Sequence, residues 1–274
     1  MWMFSDGPAN TALITAAARA LESKQPNPLV IDPYAEALAG EEGKKLLESY
    51  GEAFVLVETI RAKFFDDAIL ESVKNGKKQF VILGAGLDAR PYRFSLPSGI
   101  SWFEIDFGSV LEYKRKILKD KTPSVAPIDV CIDVSKLDLE RDLVSKGFDP
   151  KKESVWVAEG LVPYLRDEQV ESLLDLIAGA SAKTSMLMIT CPSKKLIESN
   201  SETSERYKFL ASFGSQYVFS GADNPRDLVE RHGYKADVVF IGHKRAHFGL
   251  LPMVPLETPP EGFIAEWFII GTRC

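Results

Sequence analysis

The sequence is poor in the residues that build metal and redox chemistry. Its 274 residues include three cysteines (Cys131, Cys191, Cys274) and three histidines (His232, His243, His247). An odd number of widely spaced cysteines supplies neither a disulfide framework nor a metal site. His243 and His247 share the i, i+4 spacing of a metal pair, yet no helical pattern and no third ligand accompany them, so a loop or edge position is expected. His232 is expected to cap a helix or face solvent. Positive charge is not in excess: the formal net charge is −6 and the pI near 5.3, which lacks the basic footprint of a nucleic-acid binder. No apolar run approaches the ~20 residues that span a bilayer. Met1 to Asn10 has neither the basic flank nor the apolar core of a secretory signal, and a cytoplasmic protein is expected. Internal repeats and low-complexity tracts are also absent. What is present is an ordinary globular composition, 45% hydrophobic and 26% charged, in a chain long enough for one large α/β domain with its own core.

Apolar spacing places the elements. Residues 8–23 read as a helix with Leu13, Ile14, Ala17 and Leu21 on one face. Asp32-Pro33 reads as a helix start, Asp32 capping and Pro33 at the first helical position. A longer helix over 52–74 carries the stripe Val57, Ile60, Phe64, Ala68 and Ile69. Five apolar runs then fit parallel strands: 79–84, 101–106, 127–131, 154–159 and 185–191. Helical patterns lie between them at 108–119, 135–146 and 166–181, and this alternation argues for βαβ units. Residues 193–202 read as a polar loop. Asn224 caps a short helix closed by Gly233, and 235–242 and 264–272 follow as an antiparallel strand pair at one sheet edge. The whole, 1–274, is expected to be one domain: a helical cap over 1–75, a nucleotide-type core over 76–192, and late strands with the substrate side over 193–274.

The most informative stretch is Val81-Ile82-Leu83-Gly84-Ala85-Gly86-Leu87-Asp88-Ala89-Arg90. A buried strand ends in glycines that let the backbone turn sharply near a ligand. The next strand ends at Asp106, about 20 residues on, where α/β nucleotide folds hold a ribose. Glu104 stands at a similar spacing and competes for that role. The pattern points to an adenosine-bearing cofactor. A nicotinamide dinucleotide fits the glycines, but Ala89 stands at the third position and Asp88 would face a pyrophosphate. S-adenosyl-L-methionine has no phosphate and carries an ammonium and a sulfonium. Asp133 and Glu159, at the ends of the third and fourth strands, add two carboxylates to Asp88 and Asp106. That is a cation-and-hydroxyl pattern at the strand ends.

These residues, together with Phe103-Glu104-Ile105-Asp106, Glu159-Gly160-Leu161-Val162-Pro163-Tyr164-Leu165, Pro26-Asn27-Pro28-Leu29, Asp32-Pro33-Tyr34-Ala35 and Ile60-Arg61-Ala62-Lys63-Phe64-Phe65-Asp66-Asp67, resemble the leucine carboxyl methyltransferase family. The likeness is to its bacterial and fungal small-molecule branch, which includes polyketide carboxyl O-methyltransferases, and spans residues 5–180. The resemblance implies an α/β, Rossmann-like class I methyltransferase fold with a seven-stranded, mostly parallel sheet. It implies that Gly84 and Gly86 pass under the donor's methionine portion, that Asp106 holds the ribose hydroxyls, that Asp133 faces the adenine amine and that Glu159 lies near the amino-acid end, with Ala85, Asp88, Phe107, Val134 and Gly160 also in the cofactor site. Arg61 would meet a carboxylate of donor or acceptor; it lies on the apolar stripe, where an inward arginine needs a partner, and an internal salt bridge with Asp88, Asp106 or Glu159 is the competing role. Tyr164 would bond the acceptor oxygen or pack beside the fourth strand.

The implied function is S-adenosyl-L-methionine-dependent O-methyl transfer to a carboxylate, or a phenol, of a small molecule, with no metal. The scarcity of histidine favours the carboxylate, which needs no base. The competing readings are a nicotinamide-dependent oxidoreductase and a non-catalytic cofactor-binding protein of the same fold. Lys114-Arg115-Lys116 and Lys119–Lys121 read as a solvated helix face. Trp2, Trp102, Trp156 and Trp267 read as core, and Phe209, Phe213, Tyr217 and Phe219 as a helix face or an apolar acceptor pocket. Oligomeric state and acceptor identity have no signal in the sequence.

Overall fold

A computed structural model of the chain describes residues 3–4, 7–199, 205–212, 214–256 and 262–274; Trp2 and Phe213 lie outside the described residues. Three helices come first: α1 (Thr11–Glu22), α2 (Ala35–Tyr50) and α3 (Glu52–Lys74). Strands β1 (Gln79–Leu83), β2 (Ser101–Asp106), β3 (Pro127–Cys131), β4 (Ser154–Ala158), β5 (Met186–Pro192), β6 (Tyr234–Phe240) and β7 (Glu266–Arg273) form one sheet, in the order β3-β2-β1-β4-β5-β7-β6. The first five run parallel, and β7 is antiparallel to both β5 and β6. The remaining helices are α4 (Arg90–Arg93), α5 (Gly108–Ile117), α6 (Asp167–Gly179), α7 (Lys194–Ser199), α8 (Glu205–Ala211) and α9 (Pro225–Glu230).

β1 and β4 are buried along their whole length. Strand alternation divides their side chains between two cores. Val81, Leu83, Trp156 and Ala158 pack with Leu173, Leu174 and Ile177 of α6 on one face. Phe80, Ile82, Val155 and Val157 pack with Ile60, Phe65 and Ile69 of α3 on the other. Burying each such side chain contributes about 1.5–3 kcal/mol, which fixes α3 across the strands and sets Arg61 near their carboxyl ends. Trp102, Trp156 and Trp267 are core residues.

Several local expectations need correction. Leu21 is exposed while Ala20 and Glu22 on either side of it are buried, so the covered face of α1 no longer includes position 21 in the last turn. Asp32 does not cap at the first turn; α2 starts at Ala35, and Asp32 instead accepts from the Tyr34 N–H and pairs with Arg19 at 3.0 Å. Residues 135–146 form short 3-10 and π turns rather than an α-helix. Side-chain oxygens of Asp133 and Asp138 accept from the Ser135 and Arg141 N–H groups, which competes with helical pairing. The loop expected from 193 contains α7, whose first turn is held by Ser193 Oγ accepting from the Leu196 N–H; residues 200–202 lie outside the described residues. Lys114 is not on a solvated face. It shares the inner face of α5 with Val110 and Leu111 and is fully buried on Glu104 at 2.7 Å. Arg115 pairs with Glu104 and Asp129. Among the described residues no helix is long and apolar enough to cross a membrane.

Candidate active site

The strand order reverses between β1 and β4, since β2 and β3 lie to one side of β1 and β4 and β5 to the other. Such a switch point leaves a crevice outside the carboxyl ends of the strands. The turn after β1 enters it with Gly84 at φ +64° and Gly86 at φ +47°. A Cβ at Gly86 would stand 3.2 Å from the Ala12 Cβ of α1. Gly86→Ala is therefore expected to cost about 1–2 kcal/mol from the left-handed backbone, read as a lower urea midpoint; an unchanged midpoint would contradict the turn geometry. The turn is tied to the end of β2, where Asp106 Oδ2 accepts from the Gly86 N–H at 2.6 Å and Oδ1 from the Phe107 N–H at 2.7 Å. Burial raises the Asp106 carboxyl above its ordinary value against those two donors. Glu104, its rival at similar spacing, is consumed by Lys114 and Arg115.

Every residue expected at the site lines one cavity of about 710 Å³, Val134 and Tyr164 included. That volume lies in the range of small-molecule sites. Asp133, at the mouth beyond β3, takes the Ser135 N–H and hydroxyl on one oxygen. Burial acts to raise it, but those bonds and Lys136 outweigh this and lower it. Gly160 follows β4 with φ +70°.

The charges are arranged differently from the sequence expectation. Asp88 is not a free carboxylate. Arg90 takes it at 2.9 Å through Nη1 and at 2.7 Å through the backbone N–H. The same guanidinium reaches Asp66 at 2.7 Å and Glu159 at 2.8 Å. Arg93 also holds Asp66, at 2.6 Å. Burial would raise Asp88, but Arg90, Arg93 and Lys114 keep it below its ordinary value. The anionic crevice is therefore largely neutralised from within. Arg90 stands in the glycine motif, yet nothing in its spacing announces that it joins three carboxylates.

Arg61 has internal partners too. Nη2 meets Glu58 at 2.6 Å, Nη1 meets Glu266 at 3.2 Å, and Nε lies 3.4 Å from Glu159. The i, i+3 spacing of Glu58 and Arg61 on a helix signals their pairing; the contact with Glu266 across the fold has no such signal. Burial alone would lower Arg61, but the three carboxylates raise it. Burial pushes Glu58 up to about 7, against the attraction of Arg61.

Aromatic rings complete the wall. Tyr50, Phe54, Phe209 and Tyr217 line the cavity, with Tyr50 packed on Phe54 and Phe209 and Tyr217 edge-on to Tyr164. Phe219 belongs to the core instead. Burial raises the Tyr164 phenol well above its ordinary value, so it donates a hydrogen bond rather than accepting a proton. The histidines lie elsewhere: His232 between Asp175 and Glu171 of α6, and His243 and His247 in the turn after β6.

Residues 12–178 match the family model described as leucine carboxyl methyltransferase. A Streptomyces avermitilis protein, provisionally named an S-adenosyl-L-methionine-dependent methyltransferase, is 32% identical over 92% of this chain and 90% of its own length. A Mycolicibacterium gilvum protein of the same provisional name is 32% identical over 99% and 97%. Among solved structures, a protein from Thermobifida fusca provisionally named a methyltransferase superposes with a TM-score of 0.60 at 18% identity, covering 95% of this chain and 94% of that one. A DUF574-family protein from Streptomyces avermitilis gives 0.61 at 13% identity over 94% and 97%. The two structures share the Rossmann-like fold.

Proposed function

Because the chain belongs to the leucine carboxyl methyltransferase family and is an S-adenosyl-L-methionine-dependent methyltransferase, we propose that it methylates a carboxylate oxygen of a small-molecule acid. The family match sets the nicotinamide reading aside. The observation that supports a carboxylate acceptor is the composition of the cavity wall: among its described residues there is no histidine, lysine or cysteine. Its carboxylates are held as well, Asp88 and Glu159 by Arg90, Glu58 and Glu266 by Arg61. A carboxylic acid of pKa ~4 arrives ionised and needs no base, whereas a phenol of pKa ~10 would have to call on one of these paired, buried carboxylates.

The residues fit the donor. The glycine turn lines the cavity with no side chain at Gly84 or Gly86, and Arg61 Nε is a buried donor that makes no hydrogen bond among the described residues, its nearest acceptor being Glu159 at 3.4 Å. In this reading Gly84, Ala85 and Gly86 cradle the methionine portion, and Asp106 accepts from the ribose hydroxyls. Asp133 accepts from the adenine amine, with Phe107 and Val134 against the ring. Glu159 and Gly160 flank the amino-acid end, and Arg61 receives the carboxylate. Asp88 acts through Arg90 to stiffen the turn. The helices over 1–75 close the donor side and 193–274 supplies the acceptor side. When bound, the donor supplies a methyl group activated by its sulfonium charge. The chain's own task is to orient acceptor and donor and to exclude water.

Tyr164 donates to the acceptor oxygen. Tyr164→Phe is expected to lower kcat/KM about tenfold, the worth of one hydrogen bond, with the Kd for S-adenosylhomocysteine unchanged; equal loss in both would place Tyr164 on the donor instead. The function is tested with methyl-labelled donor and a panel of small acids, aromatic ones first. Label that alkali releases is a methyl ester and supports the reading. Label that survives alkali on a phenolic acid contradicts a carboxylate acceptor.

A further inference from the structure

Arg61 faces more negative charge than one guanidinium neutralises. Glu58 approaches from the same helix, Glu159 from the end of β4 and Glu266 from the first residue of β7. Glu58 is the deepest, its side chain 3% exposed against 16% and 18% for the other two. Its Oε1 is buried in ion-pair contact with Arg61 Nη2 at 2.5 Å and has no further partner among the described residues. The charged groups facing it are Arg61, Glu266, Glu159 and Arg19 of α1, and Arg19 is committed to Asp32. Glu159 is shared with Arg90 and in this reading takes the ligand's ammonium, so a ligand carboxylate docked on Arg61 joins Glu58 and Glu266 as a third negative charge on that guanidinium. In a wall of low dielectric such crowding is relieved by protonating the least solvated member.

We infer, resting on the reading that Arg61 receives the donor's carboxylate, that Glu58 is a positioning residue that takes up one proton from solvent as that carboxylate docks. The neutral carboxyl keeps an oxygen for Arg61 Nη2 to bond, and the guanidinium charge is released toward the ligand. No bond of the donor changes in this step. Burial has already brought Glu58 to about 7 in the free protein, so it is partly ionised at neutral pH. Well below that value it is protonated in both states, and docking takes up nothing. Above it, uptake approaches one proton, and affinity weakens as pH rises, toward a limit of about tenfold per pH unit.

The test is calorimetric titration of the whole chain with S-adenosylhomocysteine in buffers of different ionisation enthalpy. In the wild type the heat is expected to depend on the buffer above neutral pH, corresponding to proton uptake, and to lose that dependence in mild acid. Glu58→Gln is expected to bind with buffer-independent heat and a Kd that is flat across neutral pH. Buffer-independent heat in the wild type overturns the inference, and so does undiminished uptake in Glu58→Gln. Should that variant not fold, Glu58→Asp serves: uptake is expected at lower pH, following the lower aspartate value, and an unshifted profile overturns the inference. Failure of S-adenosylhomocysteine to bind at all removes the donor-site reading as well; binding without uptake removes the inference alone.

Discussion

Asp106→Ala is expected to raise the Kd for S-adenosylhomocysteine about a hundredfold. The carboxylate would lose two charge-assisted bonds to ribose hydroxyls, each worth about 1.5–3 kcal/mol, and even a partial loss amounts to 2–4 kcal/mol. The structure adds a second consequence. Asp106 also holds the Gly86 and Phe107 N–H groups, so alanine orphans two backbone donors and loosens the turn proposed to cradle the donor. Asp106→Asn separates the two effects. Its amide oxygen can accept one backbone N–H, which restores part of the stability, while affinity stays low because the charge is gone. Calorimetry with thermal unfolding reads both quantities. A folded Asp106→Ala protein with unchanged affinity would remove Asp106 from the donor site.

Arg90→Ala is expected to destabilise the fold by about 3–5 kcal/mol, the usual consequence of removing one partner of a buried ion pair. Its side chain is 5% exposed and joins Asp66, Asp88 and Glu159. Those carboxylates come from α3, the glycine turn and the end of β4, so the loss also separates the elements that form the crevice. Arg90→Lys is expected to recover only part of the stability, because a point charge cannot replace a planar fork with three partners. The pH dependence has a definite sign. The Asp88 carboxyl is depressed in the fold, so its contribution is present above the unfolded aspartate value near ~4 and is lost as pH falls below it. The gap between wild type and Arg90→Ala should therefore narrow in acid. Urea unfolding across pH measures it; a gap that is small at neutral pH would contradict the structural weight given to Arg90.

The sheet was legible from sequence because central parallel strands are apolar on both faces, as in Gln79–Leu83 and Ser154–Ala158. The residues at their ends were legible for the same reason: strand order brings the end of β1 beside the end of β4, so Gly84 and Glu159 share one crevice. Ionic pairing was not legible. Asp88 read as an open carboxylate because its partner's fork points backward along the same turn. Glu266 joins Arg61 only through the antiparallel return of β7. Lys114 sits in a run of basic residues whose composition suggests solvent, and only the position of Glu104 beneath α5 explains its burial.

The most direct test of the site is a crystal structure of the protein with S-adenosylhomocysteine. The account expects the ribose hydroxyls on Asp106, the adenine amine toward Asp133, the methionine portion over Gly84 and Gly86, and the carboxylate on Arg61. A ligand bound away from the ends of β1 and β4, or bound there with its carboxylate clear of Arg61, would contradict it.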